Sequence, residues 1–267
     1  MTDKEKSPAG LGVFSKILKS PHCFSTRLGG YSREAHTGSL NLAFGRGDSD
    51  ETVIKNLKKF AEYADFEAES IVSVPQIHSS DVRLVSSAHR GMGYFREADF
   101  ACDGYVTNCC DVTLGVKTAD CVPILLEARN ERGDVIAVSA IHAGWRGTAA
   151  RIAQNGVSEL KKLGASPERI YAAIGPCIAG CCFEVLAECR DELAKIDESL
   201  IGAGQNGKYF PDLAALNRRV LTDARVPAEN IEIIGLCTYC EEELFYSHRR
   251  QNGVRGSMLS VIRIEKN

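Results

Sequence analysis

LGVKTADCVPILLEARNERGDVIAVSAIHAGWRGTAA, residues 114–150, contains two apolar runs of strand length, Val122–Ala128 and Val135–Ile141, joined by a polar turn. We predict that the two runs pair as an antiparallel hairpin, so that the start of the first strand lies beside the end of the second. Cys121 and His142 occupy those two positions. The hairpin would therefore bring a thiol and an imidazole together at one rim of a sheet.

The sequence after this hairpin is rich in glycine. Gly144 and Gly147 flank Trp145 and Arg146, and a helical pattern follows over 148–163. A glycine turn that leads into a helix N-terminus is a good anion site, because free backbone N–H groups and the helix dipole point at the ligand. The spacing is equally compatible with a packing role for the thiol, a satisfied strand-end histidine and ordinary turn glycines.

The composition is that of an ordinary globular protein, with 44% hydrophobic and 25% charged residues among 267. We expect one domain over 21–267, preceded by a loose tail and a first strand region over 1–20. A net charge of -3 without a basic stripe argues against a nucleic-acid partner. No apolar run approaches the ~18 residues of a membrane span, and the N-terminus lacks the apolar segment of a signal peptide.

Eleven cysteines in a chain without a signal peptide indicate free thiols in a reducing compartment, and we expect a cytoplasmic protein. Cys237 and Cys240 form a Cys-x-x-Cys pair that could be half of a zinc site or a redox pair. Because a second pair of standard spacing is missing, buried thiols that bind no metal are favoured. Cys177 and the neighbouring Cys181 and Cys182 receive the same interpretation.

Predicted strands outnumber predicted helices and do not alternate with them regularly. The pattern predicts strands over 22–26, 70–74, 81–85, 103–107, 112–116, 122–128, 135–141, 169–174, 231–236 and 257–264, and helices over 48–64, 148–163, 184–196 and 213–224. This order favours an α/β (α+β) fold, in which layered mixed β-sheets are covered by helices within a single domain.

Three residues at predicted strand ends or turns could form a metal site: His78, Cys121 and His142. Their sequence separations of 43 and 21 residues match no local zinc-finger spacing. Two imidazoles and a thiolate suit zinc and leave one tetrahedral position open, as catalytic sites require. Alternatively, the thiol is a nucleophile with His142 as its base, activated by the positive charge of Lys117 and Arg146.

Arginines are the candidate anion ligands: Arg27, Arg46, Arg146, Arg249 and Arg250. Nearby glycines, which let a ligand approach the backbone, make Arg27 and Arg146 stand out. A P-loop, a GxGxxG sequence before a helix and a Ser-centred elbow are all missing, which disfavours ATP, NAD and α/β-hydrolase interpretations. The six histidines are isolated in sequence, whereas a true multicopper oxidase has His-x-His pairs.

A series of motifs from about Phe24 to the C-terminus resembles the laccase-domain family, which is often labelled polyphenol oxidase and described as purine nucleoside phosphorylases. The motifs, in order, are FSTRLGGYS, SLNLAFG, PQIHSSDV, DGYVTN, KTADCVPILL, IHAGWRG, IGPCIAGCCFEV, CTYC and FYSHRR. HAGWRG together with TADCVP is quite specific, and the whole series is very specific. One departure is His248, where a tyrosine is more usual, which puts a specific role of this position in doubt.

The resemblance implies a layered α/β fold, distantly similar to cysteine-dependent deamidase toxins, and a zinc ion held by His78, Cys121 and His142. It implies phosphate-dependent cleavage of adenosine, inosine and methylthioadenosine, with adenosine deamination in some members. Copper-dependent phenol oxidation, with Cu²⁺ in place of Zn²⁺, and a metal-free Cys–His thiol hydrolase or deamidase are the alternatives. We expect a purine nucleoside and phosphate as the partners of a monomer or weak homodimer.

Residue roles follow from motif position and from the resemblance, as hypotheses. The expected catalytic residues are Cys121, His142 and Asp103, and the expected substrate and phosphate ligands are Arg27, Asn41, Arg146 and Arg250. Asp103 and Asp120 are candidates for a proton shuttle, although Asp120 could instead fix the turn before Cys121.

Overall fold

Two β-sheets packed face to face form the centre of this computed structural model, which describes residues 10–265. The strands are β1 (Gly12–Val13), β2 (His22–Ser25), β3 (Ile71–Val72), β4 (Val82–Leu84), β5 (Gly104–Thr107), β6 (Thr113–Thr118), β7 (Val122–Arg129), β8 (Val135–Ala143), β9 (Ile170–Ile174), β10 (Ile201–Ala203), β11 (Tyr209–Pro211), β12 (Ile231–Ile233) and β13 (Met258–Arg263). The helices are α1 (Asp50–Tyr63), α2 (Trp145–Ala149), α3 (Ile152–Lys162), α4 (Ala187–Asp197) and α5 (Leu213–Asp223). The predicted tail falls mostly on positions 1–9, outside the described residues.

Both large sheets are mixed, as the sequence predicts. The five-stranded sheet has the order β1-β2-β13-β6-β3 and is parallel at β3 and β6. The six-stranded sheet has the order β12-β9-β7-β8-β5-β4 and is parallel at each edge, between β12 and β9 and between β4 and β5. A small β10–β11 ribbon, which the sequence pattern did not reveal, stands apart from them.

The predicted central hairpin is confirmed as β7 and β8. The two strands pair antiparallel, with Val122 opposite Ala143 and Pro123 opposite His142. Cys121 immediately precedes β7, so the register places its thiol beside the His142 end of β8. The strands on either side, β9 and β5, bury this hairpin in the middle of the six-stranded sheet.

Alternating side chains of the hairpin divide the core into layers. Leu125 and Val138 point to the five-stranded sheet and pack with its residues, such as Leu114. Ile124 and Leu126 point the other way, into the cluster formed by α3, α4 and α5. Helix α1 covers the outer face of the five-stranded sheet. The layers are therefore helix, sheet, sheet, helix.

The single helix predicted over 148–163 is wrong in one respect, because the structure has two helices there. Gly144 caps α2, which begins at Trp145, and the helix stops at Ala149. Arg151 then adopts a left-handed conformation with φ 58°, and its guanidinium donates to the Asp223 carboxylate at 3.0 Å. A glycine or proline would have signalled this break, but position 151 has neither. No helix in the described part of the chain is long and apolar enough to cross a membrane.

Candidate functional site

Three side chains from distant segments meet at one rim of the six-stranded sheet. His78 lies between β3 and β4, Cys121 precedes β7, and His142 is the second-last residue of β8. Their ligand atoms all lie within 4.8 Å of one another. The two imidazole rings are almost perpendicular, at 85°, with centroids 5.0 Å apart. His142 is buried, Cys121 is half-buried and His78 is exposed, so the group opens to solvent on one side.

The buried carboxylate of Asp103 holds two of these residues in place. Its oxygens accept hydrogen bonds from the backbone N–H groups of Ile77 at 3.2 Å, His78 at 3.0 Å and Ser79 at 2.7 Å. They also accept from the Ser79 hydroxyl at 2.8 Å and from Nδ1 of His142 at 2.8 Å. These bonds secure His78 in a left-handed conformation, φ 59°, that a non-glycine residue rarely adopts. The contacts therefore position His78 and His142, and the catalytic role expected of Asp103 stays a prediction.

Charge within the group favours a thiolate and an imidazolium. Burial would raise the pKa of the Cys121 thiol, but the adjacent His142 and His78 outweigh burial and lower this pKa to about 6. Burial likewise opposes protonation of His142, yet Cys121 and Asp103 raise the pKa of its imidazole to about 9. Without a metal, the two side chains therefore form an ion pair near neutral pH.

The turn that presents Cys121 is fixed by its predecessor. Asp120 adopts φ 96° and accepts hydrogen bonds from the Thr238 hydroxyl and from the Arg249 backbone N–H, each at 2.7 Å. Its carbonyl oxygen accepts from the Ile178 N–H at 2.9 Å. These contacts fit the interpretation in which Asp120 shapes the turn before the cysteine.

Gly144 lets the start of α2 approach the group closely. A Cβ atom at this position would lie 3.1 Å from Cδ2 of His78 and 3.3 Å from Sγ of Cys121, tighter than most real contacts. A residue with a side chain would therefore push against two of the three candidate ligands. Because α2 has only five residues, its dipole adds less to an anion site than the predicted longer helix would.

A cavity of about 780 Å³ opens beside the three residues. Its wall includes His78, Cys121 and His142 themselves. Cationic, aromatic and acidic side chains complete it: Arg46, Arg96, Lys117 and Arg255; Phe44, Tyr94 and Phe95; Asp50 and Glu97. This volume lies in the usual range of small-molecule sites, about 300–1,000 Å³.

Two of the cations in the cavity wall are buried close to a third cation, Arg46. Burial and the charge of Arg46 lower the pKa of Lys117 to about 8 and that of Arg255 to about 10. Nε of Arg255 is buried and finds no hydrogen-bond partner among the described residues. An anion in the cavity would offset the positive charge of these side chains.

Two of the predicted phosphate ligands connect loops by donating hydrogen bonds to backbone carbonyl oxygens. The Arg27 guanidinium donates to the carbonyl oxygens of Gly38 at 2.7 Å and Glu242 at 3.1 Å. Arg250 donates to the carbonyl oxygens of Thr238 and Tyr239, both at 2.7 Å, and also to that of Phe245.

The other two predicted ligands lie in different surroundings. Asn41 is fully buried. Its amide nitrogen donates to the Asp48 carboxylate at 2.8 Å, and its amide oxygen accepts from the N–H of Ser257, a residue of the cavity wall, at 3.0 Å. Arg146 stacks on Trp145 at 4.2 Å and lines a second concavity of about 310 Å³. The substrate roles assigned to these four residues stay predictions.

A nearby glycine, the feature that singled out Arg27 and Arg146, also marks two arginines of the cavity wall. Glycines near Arg27 and Arg146 raised those two residues above the others, yet Gly45 and Gly47 also flank Arg46. Arg255 was not among the candidate arginines, although it directly precedes a glycine. Proximity to glycine is therefore a useful signal, but too frequent to rank arginines by itself.

Four cysteines form a second cluster, which their spacing in the sequence did not predict. The sulfur atoms of Cys181, Cys182, Cys237 and Cys240 lie within 4.8 Å of one another. The prediction of buried thiols is confirmed for Cys177 and Cys237 and wrong for the exposed Cys181 and Cys240. The error arose because the two pairs are far apart in sequence and only strand pairing brings them together.

Comparison with known proteins identifies the family. The chain is 37% identical over 245 residues to a protein of Bacillus subtilis named purine nucleoside phosphorylase YlmD, covering 90% of this chain and 86% of the relative. It is 36% identical over 245 residues to a prokaryotic protein named adenosine deaminase RL5, covering 89% and 91% of the two chains.

The solved structure of YlmD from Geobacillus stearothermophilus superimposes with a TM-score of 0.84 at 36% identity, and 92% of each chain is covered. A Bacillus licheniformis hypothetical protein YfiH superimposes with a TM-score of 0.85 at 33% identity, covering 91% of this chain and 92% of the other. These matches confirm the mixed α/β fold, whereas the distant similarity to deamidase toxins stays a prediction. Residues 21–265 match the family described as multi-copper polyphenol oxidoreductase laccase, and the chain belongs to that family.

Proposed function

We propose that this protein is a zinc-dependent purine nucleoside phosphorylase that acts on adenosine, inosine and methylthioadenosine, with adenosine deamination as a second reaction of the same site. The main support is the position of His78, Cys121 and His142 in the wall of a cavity that also offers cations and aromatic rings. Relatives named purine nucleoside phosphorylase and adenosine deaminase support the same two reactions.

The donor set fits zinc. Two imidazoles and one thiolate within 4.8 Å of one another are ligands that zinc prefers, and they leave a fourth position open. The hydrogen bond from Nδ1 of His142 to Asp103 is the kind of support that orients a metal-binding imidazole and leaves Nε2 for the metal. When bound, zinc would supply a Lewis acid to the purine or to water. Copper binds the same donors, so the metal itself must be measured.

The cavity can hold both reactants of phosphorolysis. Arg46, Lys117 and Arg255 supply positive charge for phosphate. Phe44 and Tyr94, with ring centroids 5.4 Å apart, supply an aromatic surface for a purine. In the reaction, a phosphate oxygen bonds to the anomeric carbon while the glycosidic C–N bond breaks and its electron pair leaves with the base. Holding phosphate against that carbon is what these residues contribute.

Deamination needs no phosphate, since water replaces the amine and ammonia leaves. The observation that favours it is the three-residue ligand set, which leaves room for one more ligand on a tetrahedral metal. A metal-free thiol hydrolase or deamidase is favoured by a different observation: the Cys121 pKa is lowered to about 6 while the His142 pKa is raised to about 9. The metal content separates these two possibilities.

Copper-dependent phenol oxidation is the weaker alternative. Across residues 10–265, the groups able to hold a metal are the His–Cys–His group and the four-cysteine cluster. Oxidation of phenols by dioxygen normally uses several coppers held close together by many histidines. Copper in the His–Cys–His group could give trace activity, because copper outcompetes zinc at such sites.

The deciding experiment measures metal and products together. Protein purified without added metal, and a Cys121→Ala variant, are analysed for zinc and copper and then given adenosine with and without phosphate. We expect zinc in the wild type and phosphate-dependent release of adenine. The variant should lose one zinc ion per chain and the release of adenine. Turnover without zinc, or no turnover of any purine nucleoside, would exclude the zinc phosphorylase and favour Cys121 as a nucleophile.

A pair of arginine variants tests where phosphate binds. Arg255→Gln removes a cation from the cavity, and we expect the KM for phosphate to rise roughly tenfold or more. Arg146→Gln alters the concavity of about 310 Å³ and tests the prediction, made from the sequence, that Arg146 binds phosphate. A raised KM in Arg146→Gln with an unchanged KM in Arg255→Gln would move the phosphate site to the start of α2.

A further inference from the structure

The four-cysteine cluster lies where the ends of two neighbouring strands meet. Strands β9 and β12 pair in parallel, so the segments that follow them leave the sheet on the same side. The first segment contains Cys181 and Cys182, and the second contains Cys237 and Cys240. A short parallel bridge between Cys177 and Cys237 holds the two segments side by side. The cluster is thus a product of the sheet topology.

The sulfur–sulfur distances match four ligands of a single ion. Cys181 Sγ lies 3.5 Å from that of Cys182, 3.9 Å from that of Cys237 and 3.8 Å from that of Cys240. The sulfur atoms of Cys182 and Cys240 are 3.4 Å apart. A tetrahedral zinc with Zn–S bonds of about 2.3 Å would separate its sulfur ligands by about 3.8 Å. A disulfide needs about 2.05 Å, so none of these distances describes one.

Backbone N–H donors converge on one of the four sulfur atoms, that of Cys237. The backbone N–H of Ala179 donates to Cys237 Sγ at 3.4 Å, and the N–H groups of Tyr239 and Cys240 also bond that sulfur. The Arg250 guanidinium lies against the same turn, bonded to the Thr238 and Tyr239 carbonyls at 2.7 Å. Backbone donors and a nearby cation stabilise sulfur that bears negative charge.

We propose that Cys181, Cys182, Cys237 and Cys240 bind one structural zinc ion, separate from the His–Cys–His group. Four thiolates in tetrahedral arrangement select zinc or iron among the first-row metals, and a closed set of four protein ligands is the mark of a structural site. Iron–sulfur clusters are disfavoured because their thiolates bind different iron atoms and stand farther apart than these. This proposal does not depend on the proposed enzymatic reaction.

The ion would fasten the turn that presents Cys121. Thr238 lies between two of the proposed ligands, and its hydroxyl donates to Asp120 at 2.7 Å. Ile178, three residues before Cys181, donates its N–H to the Asp120 carbonyl. Both loops that the zinc would join therefore contact the residue before Cys121. The cysteine site would therefore stabilise the turn that presents Cys121, and it contributes no group to the reaction.

The test counts metal ions in matched variants. Protein is purified under reducing conditions, and zinc and iron are measured per chain. We expect about two zinc ions in the wild type and about one in Cys240→Ser. Cys240 is exposed, so its replacement leaves no cavity in the core. Cys110→Ser, another exposed cysteine, is the control and should retain the full metal content.

Cobalt substitution identifies the ligands. In a Cys121→Ala background, cobalt in the cysteine cluster should give strong thiolate-to-metal charge-transfer absorption, which Cys240→Ser reduces to a weaker three-thiolate spectrum or abolishes. Cys240→His supplies a different ligand, so the ion should stay and its spectrum should shift. This variant separates loss of a ligand from failure to fold.

Two results would overturn the proposal. One is an equal metal content in Cys240→Ser and wild type, with no thiolate-to-cobalt absorption in Cys121→Ala. The other is an intact mass without metal and two hydrogens lighter, which would show a disulfide. Loss of zinc in Cys121→Ala with unchanged cysteine-site metal concerns the proposed enzymatic site and leaves this inference standing.

Discussion

The reactivity of Cys121 depends on the two imidazoles beside it. Burial disfavours its thiolate, but His142 and His78 reverse this effect and bring the thiol pKa to about 6. Zinc binding and nucleophilic attack both require the thiolate, so the same pair of neighbours prepares the residue for either role.

We predict that alkylation of Cys121 in metal-depleted protein increases with pH through an inflection near the lowered pKa of about 6. His142→Ala should move this inflection upward, because it removes the largest favourable influence on the thiolate. The rate is read from the mass of the Cys121 peptide after iodoacetamide treatment. The buried Cys102, whose pKa is raised to about 12, should stay unmodified as an internal control. An inflection near the ordinary thiol value of about 8.5 in the wild type would contradict the prediction.

Asp103 should make stability depend on pH in the acid range. Burial raises its pKa, but hydrogen bonds from His142 and Ser79 outweigh burial and lower the pKa to about 2, against 3.8 unfolded. The folded state therefore gains stability above the unfolded pKa and loses it as pH falls through the folded pKa. We expect Asp103→Asn to lower the free energy of unfolding at neutral pH by about 3 kcal/mol.

Urea denaturation of Asp103→Asn across a pH series tests this expectation. The wild type should lose stability between roughly pH 4 and pH 2, whereas the variant should show a flatter profile there. Asp99→Asn, an exposed carboxylate, is the control and should behave as wild type. Equal stability of Asp103→Asn and wild type at neutral pH would remove the positioning role from Asp103.

At the scale of elements, the central hairpin was predictable and the helix that follows it was only partly so. The apolar runs of β7 and β8 have the length and composition of buried strands, and one polar turn between them leaves little choice of pairing. The break at Arg151 has no such signal, because tertiary contacts with Asp223 and the packing of α3 select its left-handed conformation. Local patterns therefore fixed Cys121 beside His142 but not the geometry of α2.

The start of α2 offers a test of how tightly the three ligands are packed. Gly144→Ala would place a Cβ 3.1 Å from His78 and 3.3 Å from Cys121, so both side chains must shift. We expect zinc affinity to fall about 10-fold or more, with little change in the circular dichroism spectrum. Gly202→Ala, where the added Cβ meets only ordinary contacts at 3.5 Å, is the matched control. Unchanged zinc affinity in Gly144→Ala would show that the ligands tolerate displacement.

At the scale of the molecule, the site is assembled from segments that only the complete fold brings together. The cavity wall includes Lys117 from strand β6 and Phe44, His78 and Arg255 from loops that are far apart in sequence. Sequence patterns predicted most strands but could not supply their order. Strand β13 pairs with β2 across nearly the whole chain and with β6 across about half of it. Strand ends, turns and the resemblance to a family named His78, Cys121 and His142 as candidate metal ligands. The place of Arg255 in the cavity wall and the assembly of the cysteine cluster required the structure.

Because the ligands of both proposed zinc sites are distant in sequence, the unfolded chain should bind zinc weakly, and zinc should stabilise the folded protein. Free zinc at about 1,000 times the Kd of one site would contribute about 4 kcal/mol. For a chain of this size, that is a rise in Tm of roughly 10 °C. We therefore expect chelation to lower the wild-type Tm, with a smaller chelation effect in His78→Ala and in Cys240→Ser, since each retains one site.

Differential scanning calorimetry with and without a chelator measures these shifts. His89→Ala removes a histidine that belongs to neither ligand group and does not line the cavity, so it should show the full wild-type response. A Tm that chelation leaves unchanged in the wild type would argue against zinc in either site. An effect lost in Cys240→Ser but kept in His78→Ala would assign the stabilising ion to the cysteine cluster alone. The His–Cys–His group would then bind metal too weakly to support the fold, as expected of a site whose open position serves chemistry more than stability.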